Sequence, residues 1–131
     1  MSFYSNAKRG YRSDLGDTFF RSRWEANYAR FLNLLKAQGT VYAWAFEPVT
    51  FWFEKIKRGV RSYTPDFRIT RPDGSVYFVE VKGWMDPKSK TKIKRMAKYH
   101  PTVELQVVDA KAYKEIARKL GPAIPHWESE K

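Results

Sequence analysis

Asp66, Glu80 and Lys82 are the residues whose types and spacing suggest chemistry. Two carboxylates can hold a divalent cation, and a neighbouring lysine can orient a water or, as the neutral amine, deprotonate it, and as the ammonium offset charge on a phosphate. Whether they act together depends on how segments 62–71 and 75–82 pair. Arg71-Pro72-Asp73-Gly74 joins them, with Pro second and Gly fourth, which suits a type I turn closed by a glycine bulge. That turn pairs Arg71 with Ser75 and therefore sets Asp66 opposite Glu80 on one face, with Cβ atoms roughly 5 Å apart. A tight turn without the bulge would set Asp66 opposite Val79 and send the carboxylates to opposite faces. Lys82 lies two residues beyond Glu80, so it leaves the same face about 6.6 Å further along. Val81 points the other way into the core, and its backbone carbonyl becomes a further oxygen ligand.

Carboxylates held this close repel unless a proton or cation sits between them. A site of oxygen donors suits magnesium (Mg2+), with manganese able to substitute. The plainer reading is a cross-strand surface pair, with Lys82 neutralising Glu80 and Asp66 a turn-side residue. Asp followed at a distance by Glu-x-Lys is common by chance.

Glu25 is the fourth candidate ligand. It lies beside the apolar stripe of the first helix, where it can reach across the sheet toward Asp66 and Glu80. The competing reading is a capping box, Ser22-Arg23-Trp24-Glu25, in which Glu25 only closes the helix start. Glu47 is a reserve carboxylate, read first as a strand-end residue. Lys88, Lys90, Lys92, Lys94, Arg95 and Lys98 follow the Glu80-Val81-Lys82 strand with no acid among them. On a helix, Ile93, Met96 and Ala97 face inward and most of the cations outward. Such a run is usually a solvated face, but its single sign and its place beside the trio point to phosphate contact. Arg21 and Arg23 extend that surface, as do Lys55, Lys57, Arg58 and Arg61. His100 and His126 lack metal-ligand spacing, and His100 before Pro101 reads as a helix C-terminal cap. There is no phosphate-binding glycine loop and no nucleophilic Ser with an evident His and Asp.

The elements that must position these residues follow from periodicity. Trp24, Tyr28, Phe31, Leu32 and Leu35 recur at helical spacing from Ser22 until Gly39. Segments 41–47 and 49–54 read as strands parted by Pro48, and 55–61 as a basic turn. After the hairpin come a helix over about 87–99, a short buried strand over 103–108, and a last helix capped by Asp109 and ended at Gly121-Pro122. The order helix, three or four strands, helix, strand, helix is α/β: a mixed sheet flanked by helices. Residues 1–16 read as a mobile basic arm before a single domain over 17–131.

At 131 residues, with 43% hydrophobic and 30% charged residues, the chain can form one cored domain. A net charge of +11 favours polyanionic partners, nucleic acid before membranes. Zero cysteines exclude thiolate chemistry and suit a reducing, cytoplasmic location. No apolar run approaches a membrane-spanning length.

Tyr63-Thr64-Pro65-Asp66-Phe67, then Phe78-Val79-Glu80-Val81-Lys82-Gly83-Trp84, then the basic helix and His100-Pro101, resemble the PD-(D/E)xK nuclease superfamily. Within it they look like the phage endonuclease I type of Holliday-junction resolvase, and the archaeal Hjc type shares the sparser Glu, Asp, Glu-x-Lys skeleton. The resemblance covers about residues 22–108. It implies a restriction-endonuclease-like fold in which Glu25, Asp66 and Glu80 bind one or two magnesium ions and Lys82 assists the attacking water. It further implies branched double-stranded DNA as partner, a homodimer making matched cuts, a 5′-phosphate product, no small-molecule cofactor and a host cytoplasm as location. One departure is that the aromatic strands around Trp44 and Trp52 carry no clear counterpart of the phage enzyme's swapped bridge. The alternatives are a sequence-dependent nickase, a mismatch-repair-type or transposon-end endonuclease, and a non-catalytic DNA-binding module.

Overall fold

The structure, a computed structural model, describes residues 9–129. Its centre is a four-stranded mixed sheet of β3 (Ala43–Phe46), β6 (Phe67–Thr70), β7 (Val76–Val81) and β8 (Leu105–Val108), in that spatial order. The first three are antiparallel, and β8 runs parallel to β7 after crossing through helix α2 (Pro87–Tyr99). Two small antiparallel pairs flank it: β1 (Gly10–Tyr11) with β2 (Phe19–Phe20), and β4 (Phe51–Trp52) with β5 (Ser62–Tyr63). Helices α1 (Arg23–Ala37) and α3 (Ala110–Leu120) complete an α/β architecture. No helix among the described residues is long and apolar enough to cross a membrane.

The hairpin register is the expected one. Phe67 pairs with Val79 and Thr70 with Val76. Gly74 has φ +88, its N–H donates to Arg71 O at 2.9 Å, and Arg71 N–H donates to Ser75 O at 2.8 Å. This is a type I turn with a glycine bulge. Alternation then sends Phe67, Ile69, Val79 and Val81 to one face, under α1, where all are buried with Tyr28, Ala29 and Leu32. Phe67, fully buried, is ringed by Tyr28, Trp44 and Phe46 at centroid distances of 5.3, 5.7 and 5.3 Å, and truncating it to Ala would cost about 3–5 kcal/mol. The opposite face carries Phe78 against Phe51 and a second cluster of Phe53, Tyr63 and Met96 beneath β4, β5 and α2.

Several sequence expectations need correction. Segment 62–71 is not one strand: it breaks at Thr64-Pro65-Asp66, giving β5 and β6 to different sheets. Pro65 has no N–H to donate to a ladder, and the Asp66 carbonyl is taken by Glu47 N–H at 2.7 Å. Strand 103–108 is an edge strand with Gln106 and Val107 exposed rather than a buried one. Ala97 faces solvent on α2 while Ser89, Ile93 and Met96 turn inward. Of the expected basic arm, residues 1–8 lie outside those described, and residues 10–15 are held against the rest of the chain. Arg12 is 1% exposed, with its guanidinium donating to Ser129 O and Gly10 O. Arg30, also buried, grips Asp14 with two bonds of 2.8 and 2.9 Å and reaches Ser129 O as well. These buried cations, each supplied with acceptors, tie residues 10–15 and the C-terminal segment onto α1.

Candidate active site

Three elements converge at the end of β7. Asp66, just before β6, is 3% exposed, and its Oδ2 accepts from Val81 N–H at 2.8 Å across the strand pair. That bond holds the Asp66 carboxylate beside Glu80 on β7. Glu80 Oε1 in turn accepts from Tyr63 Oη–H, on β5, at 2.7 Å. Lys82 lies just past β7, with Nζ 3.9 Å from Asp86 Oδ2, so its ion pair is with Asp86 and not the one with Glu80 that the plainer reading offered. Val81 has its side chain in the core.

Glu25 arrives from the first turn of α1. Half of the expected capping box forms, and the Glu25 carboxylate turns to Arg21 N–H instead of to the N-cap N–H. Ser22 is the N-cap and accepts from Glu25 N–H at 3.1 Å, while Glu25 Oε1 accepts from Arg21 N–H at 2.9 Å, one residue before the cap. The side chain that closes the helix start therefore also faces the carboxylates. Glu25, Asp66, Glu80 and Lys82 line one cavity of about 690 Å³, together with Val81, Glu47 and Trp84.

The charge balance of this cavity is unusual. Burial first, then repulsion from Glu80 and Glu25, pushes the Asp66 carboxyl well above its ordinary value, against the pull of Val81 N–H and Arg21. Burial likewise raises Glu80, offset by the Tyr63 hydroxyl, Lys82 and Lys92, and raises Glu25, offset by Arg21. The Tyr63 phenol is driven far up by burial and by Glu80, so it remains a donor. The cluster is short of positive charge.

Arg21 supplies part of what is missing. Its guanidinium is ion-paired with Glu47 and lies 3.6 Å from Asp66 Oδ1. Burial opposes its charge, but Glu25, Glu47 and Asp66 together hold its pKa above the ordinary value. Glu47, in left-handed backbone at φ 50 after β3, thus belongs to the site rather than merely ending a strand. Among the described residues no three His, Cys, Asp or Glu side chains form a ready-made metal centre. Glu47 is turned to Arg21, Glu25 to a backbone N–H and Glu80 to Tyr63. The donors available are all oxygen, buried or half-buried, and undercompensated, which fits a hard divalent cation.

The expected basic surface divides. Lys92 lines the carboxylate cavity, and Lys88, Lys92 and Arg95 line a groove beside it. Lys90, Lys94 and Lys98 are exposed on α2 and line neither cavity. Arg23 pairs with Glu128 at 2.8 Å and lines neither cavity. Tyr63 reads in the sequence as a strand aromatic, yet it stands three positions before Asp66 and its hydroxyl holds Glu80.

A family model described as "Protein of unknown function (DUF1064)" matches residues 5–115. The chain belongs to this family. No curated protein and no solved structure matches it. The segment shared with the DUF1064 family contains Glu25, Glu47, Tyr63, Asp66, Glu80 and Lys82, so the whole carboxylate cavity falls within the family's extent.

Proposed function

We propose that this chain is a magnesium-dependent endonuclease of the PD-(D/E)xK type that hydrolyses phosphodiesters in branched DNA, with the four-way junction as substrate. The observation that carries the reading is that Asp66, Glu80 and Lys82, on adjoining strands, open with Glu25 into one cavity bordered by Arg21 and Lys92. A buried Asp66 beside a half-buried Glu80 is costly to keep without a cation, which speaks for a use rather than for stability.

Glu25, Asp66 and Glu80 would hold magnesium, which when bound supplies a Lewis acid for the phosphate and a more acidic water. Lys82 orients the attacking water and offsets charge developing on the scissile phosphate. Water adds to phosphorus, the bond from phosphorus to the 3′ oxygen breaks, and a 3′-hydroxyl and a 5′-phosphate remain. Tyr63 fixes the orientation of Glu80 by its hydrogen bond. Arg21 and Lys92 draw phosphates to the cavity mouth. Matched cuts on a four-way junction need two such sites, so the acting species in this reading is a homodimer.

The test is cleavage of a labelled four-way junction against linear duplex of the same sequence, in magnesium or manganese. Preferential, paired cuts in the junction are expected. Defined nicks in linear duplex at one short sequence would make the chain a nickase. Binding without any cleavage, unchanged by Asp66→Asn, would make it a DNA-binding module.

A further inference from the structure

We infer that the groove between the β4–β5 pair and α2 is a binding site for an unpaired strand of nucleic acid, with a base stacked on Trp52 and the strand leading into the carboxylate cavity. This rests on the nuclease reading for the cavity and adds to it: in branched DNA, the strand that the groove leads to the cavity is one whose bases are unpaired beside the branch point, not one held in a paired arm.

Trp52 carries the argument. Its residue is 60% exposed, although it lies in a strand flanked by apolar neighbours. The exposure comes with a rigid mount. Trp52 pairs with Ser62, its carbonyl accepts from His100 Nε2–H at 2.9 Å, and the next residue, Phe53, is 2% exposed with its N–H on Arg61 O. Arg95 donates to Val60 O and closes the far side of the loop. An indole held outward on fixed backbone is a stacking platform that loses little entropy when a base lands on it.

The surroundings select the ligand. The groove, about 820 Å³, is lined by Trp52 together with Arg61, Lys88, Lys92 and Arg95, and no acid is among its described lining residues. An aromatic face set among cations suits bases plus phosphates, and bases are open to stacking only where a strand is unpaired. Paired DNA would present phosphates to the lysines but no face to the indole.

Continuity gives the site its direction. Ser62 and Lys92 line both this groove and the carboxylate cavity, so the two form one path. Lys92 also stands 6.0 Å from the Tyr63 ring centroid, beside the residue that bonds Glu80. A strand lying on Trp52 therefore passes Lys92 on its way to Asp66, Glu80 and Lys82. A second exposed indole, Trp84 at 62%, stands at the cavity itself.

The test is equilibrium binding of the full chain, in EDTA, to a fluorescent oligothymidylate of about a dozen nucleotides and to a blunt duplex of equal length. Trp52→Ala should weaken oligothymidylate binding about tenfold or more, Trp52→Phe should retain most of it, and duplex binding should stay within about twofold. Lys88→Ala with Arg61→Ala should weaken both ligands and flatten the salt dependence. An oligouridylate arm shows whether ribose is accepted as well. Unchanged affinity in Trp52→Ala, or equal losses for strand and duplex, would overturn the inference. A Trp52→Ala protein that changed its oligomeric state without losing strand affinity would assign the indole to a second copy of the chain instead. Because EDTA removes cleavage from the readout, the outcome is separate from the nuclease reading. A wild type that cuts nothing in magnesium leaves this result standing, and indifference to Trp52 leaves the cleavage result standing.

Discussion

The Oδ2 of Asp66 accepts the Val81 N–H at 2.8 Å, joining the start of β6 to the end of β7. Side chain and backbone are bonded across the hairpin just beyond its last paired residues, Phe67 and Val79. The bond positions Asp66 and leaves Glu80 on the same face. The site's electrostatics follow from that closeness.

Stability should depend on pH through Asp66. Its folded pKa is raised above the ordinary 3.8 by burial and by Glu80 and Glu25. In the window above that value the folded chain binds more protons than the unfolded one, so stability is full below about 3.8 and falls as pH rises through the elevated value. Glu25 and Glu80 are raised as well and slope the same way, while Asp14, Asp73, Asp86 and Glu104 are lowered and slope the other way, so the difference between wild type and Asp66→Asn reads Asp66 together with the carboxyls it repels. Thermal unfolding in EDTA should show Asp66→Asn gaining on wild type as pH increases. A difference that stays constant with pH contradicts the assignment.

Arg21 and a divalent ion should compete for the same charge deficit. Arg21 is about half exposed, so its removal should cost about 1 kcal/mol or less without metal, a few degrees in Tm. Magnesium should then raise Tm more in Arg21→Gln than in wild type, and not at all in Asp66→Asn. At a magnesium concentration a hundred times its Kd, the gain by mass action is about 2.7 kcal/mol. Equal magnesium shifts in wild type and Arg21→Gln would show that the guanidinium and the ion do not share a place.

Tyr63→Phe should act on turnover rather than on folding. It removes the 2.7 Å hydrogen bond that orients Glu80 while keeping the ring in its cluster with Phe53 and Met96. Partners of this kind typically affect activity about tenfold to a hundredfold. Junction cleavage at saturating substrate should fall in that range, with a Tm change of a few degrees at most. Full activity in Tyr63→Phe would reduce Tyr63 to a core residue.

Gly74 should govern the register. Its φ of +88 disfavours any side chain, so Gly74→Val should cost about 1–2 kcal/mol and weaken the turn that pairs Asp66 with Glu80. Chemical denaturation measures the first effect and residual cleavage the second. An unchanged midpoint would remove the bulge from the account.

The residues legible in the sequence are those governed by local chemistry. Arg71-Pro72-Asp73-Gly74 determines its own turn, and through it the register of two strands. Ser22 and Asp109 cap helices within three residues of themselves, and both do so here. What was not legible depends on distant partners. Arg12 reads as part of a basic arm because its acceptor, Ser129 O, is 117 residues away. Tyr63 reads as a strand aromatic until β5 is seen beneath Glu80. The basic run over 88–98 splits between groove and solvent only once α2 is docked, which also turned Ala97 outward. Pro65 did carry a local signal against a continuous strand, and alternation on either side of it masked that signal.

The most direct test of the central claim pairs two measurements on Glu80→Gln: the cleavage rate of a labelled four-way junction in magnesium, and the affinity for that junction. The account predicts a loss of about a thousandfold or more in rate, near 4 kcal/mol of transition-state stabilisation, with affinity within about threefold of wild type. A Glu80→Gln protein that cuts the junction at the wild-type rate would contradict it.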